Sequence, residues 1–146
     1  MLKIESTAVI NRPVEEVFAV LSNVENNPKW SSAFLEVMKT SEGPIGVGTT
    51  WRGVGKFLSQ RIETEIEVTE YEPDRKSTQK SKSRPFPTEV RWTFELVEGG
   101  TRVNVRLDAE PGGFFKVAEP LVAKMAKRNS EGDLANLKDL MEAHAL

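Results

Sequence analysis

The spacing of apolar residues changes along the chain, and each change marks an element. Residues 2–10 alternate, with Leu2, Ile4, Ser6, Ala8 and Ile10 on one side, which predicts a half-buried strand. From residue 11 the period lengthens. Val14, Val17, Phe18 and Leu21 fall at i, i+3, i+4 and i+7, one stripe of an amphipathic helix. Pro13 suits the opening of that helix, where a missing N–H costs nothing, and Glu15 and Glu16 oppose the positive end of its dipole. Asn23 suits its end, and a second short helix is expected over residues 24–30. The stretch VENNPKWSSAF, residues 24–34, is polar and turn-prone apart from Val24, Trp30 and Phe34. Two large aromatics at a chain bend either plug one end of a core or line the mouth of a cavity.

The middle of the chain reads as β structure. FLEVMKTS predicts a strand, EGPIGVGTT a turn, and TTWRGVGKFL a further strand. In QRIETEIEVTEYEP, Ile62, Thr64, Ile66 and Val68 face one way while Arg61, Glu63, Glu65 and Glu67 face the other, so one side is buried and one is wet. RKSTQKSKS is a strand candidate with almost no apolar content. Ser77, Gln79, Ser81 and Ser83 share one face, and Lys76, Thr78, Lys80 and Lys82 the other. Such a strand is either a solvated edge guarded by lysines, or one that sets Gln79 and Ser81 inside the concave face as hydrogen-bonding groups for a ligand. SRPFPTE then reads as a Pro-stiffened loop, with Phe86 exposed or folded over an entrance. The clearest hairpin follows: Val90, Trp92, Phe94 and Leu96 lead into Glu98-Gly99-Gly100, and Val103, Val105 and Leu107 return. The glycine pair permits the positive φ of a tight turn. Arg91, Glu95, Arg102 and Arg106 fall on the outer faces.

Pro111-Gly112-Gly113 ends the β region, and residues 114–145 are helical in period. Phe114, Ala118, Leu121, Val122 and Met125 form one stripe, extended by Leu134, Leu137 and Met141. Pro120 predicts a start, kink or break, and Asn129–Gly132 a lesser weakness. The order is therefore strand, helix pair, about six consecutive strands and a long helix. Consecutive strands pair antiparallel through short turns, and the last helix alone is long and apolar enough to cover the sheet. A helix does not fill the concavity of a curved sheet, so space is expected between them.

Composition narrows the functional classes. The 146 residues suit one domain spanning 1–146, and 38% apolar with 29% charged residues is ordinary for a globular chain. There is no cysteine, which removes disulfides and thiolate chemistry. A formal charge of −2 offers no broad basic face to nucleic acid. No apolar run is long enough to span a membrane, and the amino end lacks the apolar block of a secretory signal. A cytoplasmic location is the default expectation. The only histidine is His144, near the carboxyl end, so neither a metal site nor a Ser–His pair is expected in the fold body. Acid–base work would fall to Asp, Glu, Lys, Arg or Tyr71. Two basic clusters stand out, at 75–84 and 124–128. The first, Arg75, Lys76, Lys80, Lys82 and Arg84, is either a solvated face or a surface for an acidic partner or anionic lipid.

Several segments together resemble the START-like SRPBCC superfamily, in the branch of polyketide cyclase/dehydrase and lipid transport proteins. They are ESTAVINRPVEEVFAVLSNVENNPKWSSAF, GVGTTWR, EIEVTEYEPDR, WTFELVEGGTRVNVRLDAE and LANLKDLMEAH, in that order and over nearly the whole chain. The resemblance implies an α+β helix-grip fold: a seven-stranded antiparallel sheet curved around the long carboxyl-terminal helix, two short helices after the first strand, and a cavity between sheet and helix. It also implies that the segment after the first helix, with its Trp, shapes the cavity entrance.

On that reading the protein binds a small hydrophobic or amphipathic ligand, lipid-, quinone- or polyketide-like, without metal or bound cofactor. The expected apolar contacts are Trp30, Phe34, Trp51, Trp92, Phe94, Val105, Leu107, Phe114 and Met125, with Phe86 at the entrance. Gln79 and Ser81 are the expected polar contacts. Trp30, Trp92 and Phe94 read equally as plain core, because pocket walls are themselves mostly apolar. The alternatives are a cofactor-free cyclase or dehydratase and a chaperone- or ribosome-associated interaction protein. Nucleic acid is not an expected partner, and a homodimer is left open.

Overall fold

The computed structural model describes residues 2–57, 59–81 and 87–146, with the backbone alone described at Phe57, Phe114 and Phe115. The chain opens with β1 (Leu2–Ile10), which buries Leu2, Ile4, Ser6 and Ile10 as the alternation requires. Helix α1 (Val14–Ser22) follows directly after Pro13, and buries Val14, Val17, Phe18 and Leu21. The bend is a 3₁₀ turn, Val24–Asn26, running into α2 (Asn27–Trp30) with Pro28 in its first turn. Asn23 ends α1 and caps the turn, its side chain accepting from the Glu25 N–H at 3.2 Å.

Six further strands follow: β2 (Phe34–Lys39), β3 (Thr50–Phe57), β4 (Gln60–Glu72), β5 (Lys76–Ser81), β6 (Thr88–Val97) and β7 (Gly100–Ala109). They form one seven-stranded sheet in the order β1-β7-β6-β5-β4-β3-β2, antiparallel throughout. The β6–β7 turn places Gly99 at φ 87°, a conformation that glycine adopts without a steric cost. At Gly100 a side chain would collide with the Ile10 carbonyl, 2.1 Å from an added Cβ. A bare backbone here lets the hairpin meet the end of β1.

The polar strand β5 is the central strand of the sheet, not a solvated edge. Its register is set by its neighbours. Ser77 lies opposite Trp92, Gln79 opposite Val90 and Val68, and Ser81 opposite Thr88 and Ile66. Directly paired residues share a face, so Ser77, Gln79 and Ser81 stand on the concave side with the tryptophan and the valines. Lys76, Thr78 and Lys80 point outward into a carboxylate network.

A short α3 (Phe114–Val117) precedes α4 (Glu119–Glu142), which begins with Pro120 in its first turn. The break expected at Pro120 is thus a restart. The weakness expected around Asn129–Gly132 does not interrupt α4, because a single exposed glycine costs only about 1 kcal/mol against alanine. Leu121 does not belong to the buried stripe: it is 71% exposed, while Val122 is buried beside Leu2, Ile4 and Ala109. The helix simply faces the sheet one position later.

β1 and β2 are opposite edges, yet α4 is tied to both sides. Lys138 Nζ donates to the Val9 carbonyl of β1 at 2.8 Å, and Lys127 Nζ donates to the Glu5 carbonyl. On the other side Asn136 Nδ2 donates to the Trp30 carbonyl at 3.1 Å, and Asp133 accepts from Ser31 Oγ and the Ser32 N–H at 3.2 and 3.0 Å. The helix thus joins the β1 edge to the segment that leads into β2 at the opposite edge. Gly55 helps the approach of that segment: an added Cβ there would lie 2.0 Å from the Ala33 carbonyl, so only glycine lets the entry to β2 pass so close.

Candidate functional site

Packing against α4 is uneven along the concave face. In the packed part, Leu134, Leu137 and Met141 of α4 join Trp30, Trp92, Phe94, Val103 and Val105, with α1 behind them. Phe18 is the aromatic hub, edge-to-face with Phe94 at 5.1 Å and with Tyr71 at 5.3 Å. Trp30 stands edge-to-face on Trp92 at 5.9 Å. A second packed group holds Val24, Trp51, Ile66 and Val68. Each fully buried aliphatic or aromatic side chain here contributes about 1.5–3 kcal/mol by its removal from water.

Packing is thinner toward the amino half of α4, where Val122 packs on Leu2, Ile4 and Ala109, with Leu107, Ala118, Ala123 and Ala126 against them. Between Val122 and Leu134 the helix has no buried side chain, although these positions are about 18 Å apart along its axis. Met125, Ala126, Ser130 and Asp133 are half-buried in that interval. Concave-face positions of the sheet match them: Phe34, Ile62, Thr64, Ser81, Val90 and Leu107 are also only half-buried. The Phe34 ring lies over Gly53, within 2.8 Å of where a Cβ would be. Thr64 and Ser81 share a hydroxyl–hydroxyl hydrogen bond across β4 and β5.

A cleft of about 550 Å³ opens at one end of the β5–β7 strands. Ser81, Thr88 and Ala109 line it from the concave row, and Lys80, Glu89 and Asp108 from the outer row. A second cleft, of about 320 Å³, is lined by Thr40, Trp51, Arg52, Glu63, Thr64 and Glu65.

Polar atoms around the concave face are short of partners. Gln79 Nε2, Ser77 Oγ, Ser6 Oγ, Trp51 Nε1 and Trp30 Nε1 are buried with no hydrogen-bond partner among the described residues. Leaving such a group unpaired costs about 1–3 kcal/mol.

A family model described as polyketide cyclase / dehydrase and lipid transport matches residues 1–142. The chain belongs to this family. Its fold is shared with TTHA0849 from Thermus thermophilus, at a TM-score of 0.83 and 21% identity over 99% of each chain. A START superfamily protein from Mycobacterium smegmatis superposes at a TM-score of 0.75 and 17% identity, over 99% of this chain and 97% of that one. The di-domain ARO/CYC StfQ, from the steffimycin biosynthetic pathway, superposes at 0.79 and 14% identity, over 99% of this chain and 51% of StfQ. The chain thus spans about half of StfQ. No curated protein matches the sequence. At these identities the likeness is one of fold: the helix-grip architecture, with its antiparallel sheet and long terminal helix.

In this polyketide cyclase/dehydrase and lipid transport family member, the residues singled out from sequence separate into groups. Trp30, Trp92, Phe94 and Val105 are packed under the carboxyl half of α4, and Trp51 is packed in the neighbouring group. Phe34 packs at the edge of the Trp51 group and Leu107 on the Leu2–Val122 group, Ser81 and Met125 are half-buried outside the packed groups, and Gln79 is buried. Phe86 and the side chain of Phe114 lie outside the described residues. Ile62, Thr64 and Val90 join the half-buried set. Their alternation was readable, but which members of a buried face remain open depends on the helix above them.

Electrostatics concentrates on the outer surface. The Glu70 carboxyl is held below the usual carboxylate range by the hydrogen bond from Lys76 Nζ at 3.0 Å, with Thr78 Oγ1 donating at 2.9 Å. Lys76 is raised in turn by Glu70. Glu142 is lowered by Lys138 Nζ at 2.6 Å and by the Asn11 N–H at 2.8 Å. Lys80 pairs with Glu89 at 3.5 Å, so the part of the basic stripe that is described is largely matched by acids. Across the described concave positions of β4–β7, Tyr71 is the sole titratable side chain. Among the described residues no helix is long and apolar enough to cross a membrane, and no three His, Asp or Glu residues gather as metal ligands.

Proposed function

We propose that the protein binds a small amphipathic ligand, lipid-, quinone- or polyketide-like, between the concave face and the amino half of α4. The observation that carries this reading is the interval from Val122 to Leu134 without a buried side chain, facing half-buried Phe34, Thr64, Ser81, Val90 and Leu107. Apolar walls supply most of the affinity of such sites, and a few polar groups fix orientation. Gln79 Nε2 and Ser77 Oγ, unpartnered on the central strand, would donate to oxygen atoms of the ligand. The cleft beside Ser81 and Thr88 is the way in. From the sequence pattern, Phe86 is assigned to the entrance and Phe114 to the apolar contacts.

Native mass spectrometry of the protein after exposure to mixed lipids and quinones tests this. A one-to-one complex is expected. Met125→Trp, which fills the gap, lowers its abundance at least tenfold with little change in thermal midpoint. No bound species, or a complex indifferent to Met125→Trp, would rule the site out.

A cyclase- or dehydratase-type activity is the second reading, favoured by the shared fold with StfQ and by Tyr71 on the concave face. It predicts that Tyr71→Phe abolishes turnover of a polyketide-like substrate and spares binding. Equal turnover in that variant would leave the carrier reading alone.

A further inference from the structure

The corner where α3 meets α4 is apolar, exposed and basic at once. Val117 is 85% exposed and Leu121 71%, the two most exposed large aliphatic side chains among the described residues apart from Leu96 at 73%. On α4, Leu121, Lys124 and Arg128 follow at i, i+3 and i+7, which is one stripe of the helix. Lys116 flanks Val117. Lys116, Lys124 and Arg128 are exposed, and none has an ion-pair partner among the described residues. By contrast, Lys76 and Lys80 of the other basic cluster are matched by Glu70, Glu72 and Glu89.

Two aliphatic side chains held in water beside three free cations serve no packing purpose here. We propose that this corner docks the protein on an anionic bilayer. Val117 and Leu121 enter the boundary between headgroups and acyl chains, while Lys116, Lys124 and Arg128 meet the headgroups. The chain carries a formal charge of −2, so an anionic surface attracts this corner and repels the molecule at large, which fixes the docked orientation. The corner begins just beyond Ala109 and Glu110, which line the 550 Å³ cleft. The surface itself does not depend on the ligand-binding reading and is testable without any ligand.

The test is flotation of the full chain with vesicles of phosphatidylcholine alone and of phosphatidylcholine with phosphatidylglycerol. Binding to the anionic vesicles is expected, weakening as salt is raised, with little on the neutral ones. Each lost cation should lower partitioning about fivefold, so Lys124→Glu/Arg128→Glu lowers it more than tenfold. Leu121→Asp should do the same at unchanged thermal midpoint, since the side chain is exposed in the free protein. Absence of binding to anionic vesicles would overturn the proposal. So would binding that survives both variants, or a dimer in sedimentation velocity that Leu121→Asp dissociates, which would make the patch a contact between copies of this chain.

Discussion

Leu137 and Met125 belong to one helix, about 18 Å apart along its axis, and their surroundings differ. Leu137 is fully buried among Phe94, Val103 and Trp92. Met125 is half-buried and belongs to none of the packed groups. The polar fastenings are denser in the carboxyl half, where Asp133 accepts from Ser31 and Ser32, Asn136 donates to the Trp30 carbonyl and Arg12 donates to the Met141 carbonyl, while the amino half has Lys127 on the Glu5 carbonyl. The carboxyl half of α4 is the main anchor, and the amino half is held more thinly, through Val122 on Leu2, Ile4 and Ala109. One continuous helix can span both because its backbone hydrogen bonds hold it together where side-chain packing is thin.

The largest expected effect tests that division by truncation. Leu137→Ala should cost about 2–5 kcal/mol in urea unfolding, from lost burial and the cavity left behind. Met125→Ala should cost less than about 1 kcal/mol, as at surface-like positions. Equal costs would mean that the amino half is packed as tightly as the carboxyl half. A smaller effect is expected from Asn136→Ala. It removes the hydrogen bond to the Trp30 carbonyl and should cost about 1 kcal/mol, while amide exchange speeds up in residues 133–141. If exchange rose equally over residues 120–131, the halves would be one cooperative unit.

The smallest effect is acid sensitivity of the anchor. The folded carboxyl of Glu142 sits below its ordinary range, held by Lys138 and the Asn11 N–H. A depressed folded value stabilises the native state above the ordinary carboxylate range, and that stability is lost as pH falls through the folded value. Glu142→Gln should therefore lower stability near neutrality and leave it unchanged at low pH, which flattens the decline in acid. An unchanged acid limb would remove Glu142 from the account. Lys76, raised by Glu70, acts in the opposite sense: its contribution is present at neutral pH and fades as pH rises through the folded value.

β5 shows where reading the chain met its limit. Its two faces, Ser77-Gln79-Ser81 and Lys76-Thr78-Lys80, were legible from alternation alone. Whether the strand was an edge or the centre was not, since a polar strand gains little from burial in either place. Pairing with Val68 on one side and Val90 on the other settles it. Leu121 teaches the converse. It fits a helical stripe by spacing, yet Val122 takes the buried position, because a 3.6-residue period tolerates a shift of one position until packing selects between them.

Local rules were enough for the elements and their order. Alternation, the helical stripe, Pro13 and Pro120 at helix starts and the glycine pair at the last hairpin are all short-range consequences of sterics and amphipathicity. The concave face could be named residue by residue on the same grounds. What tertiary structure alone decided is which part of that face the terminal helix fills. Hydrophobic pattern records that a side chain avoids water. It does not record whether another side chain or an open groove stands opposite, since that depends on the curl of seven strands around a straight helix.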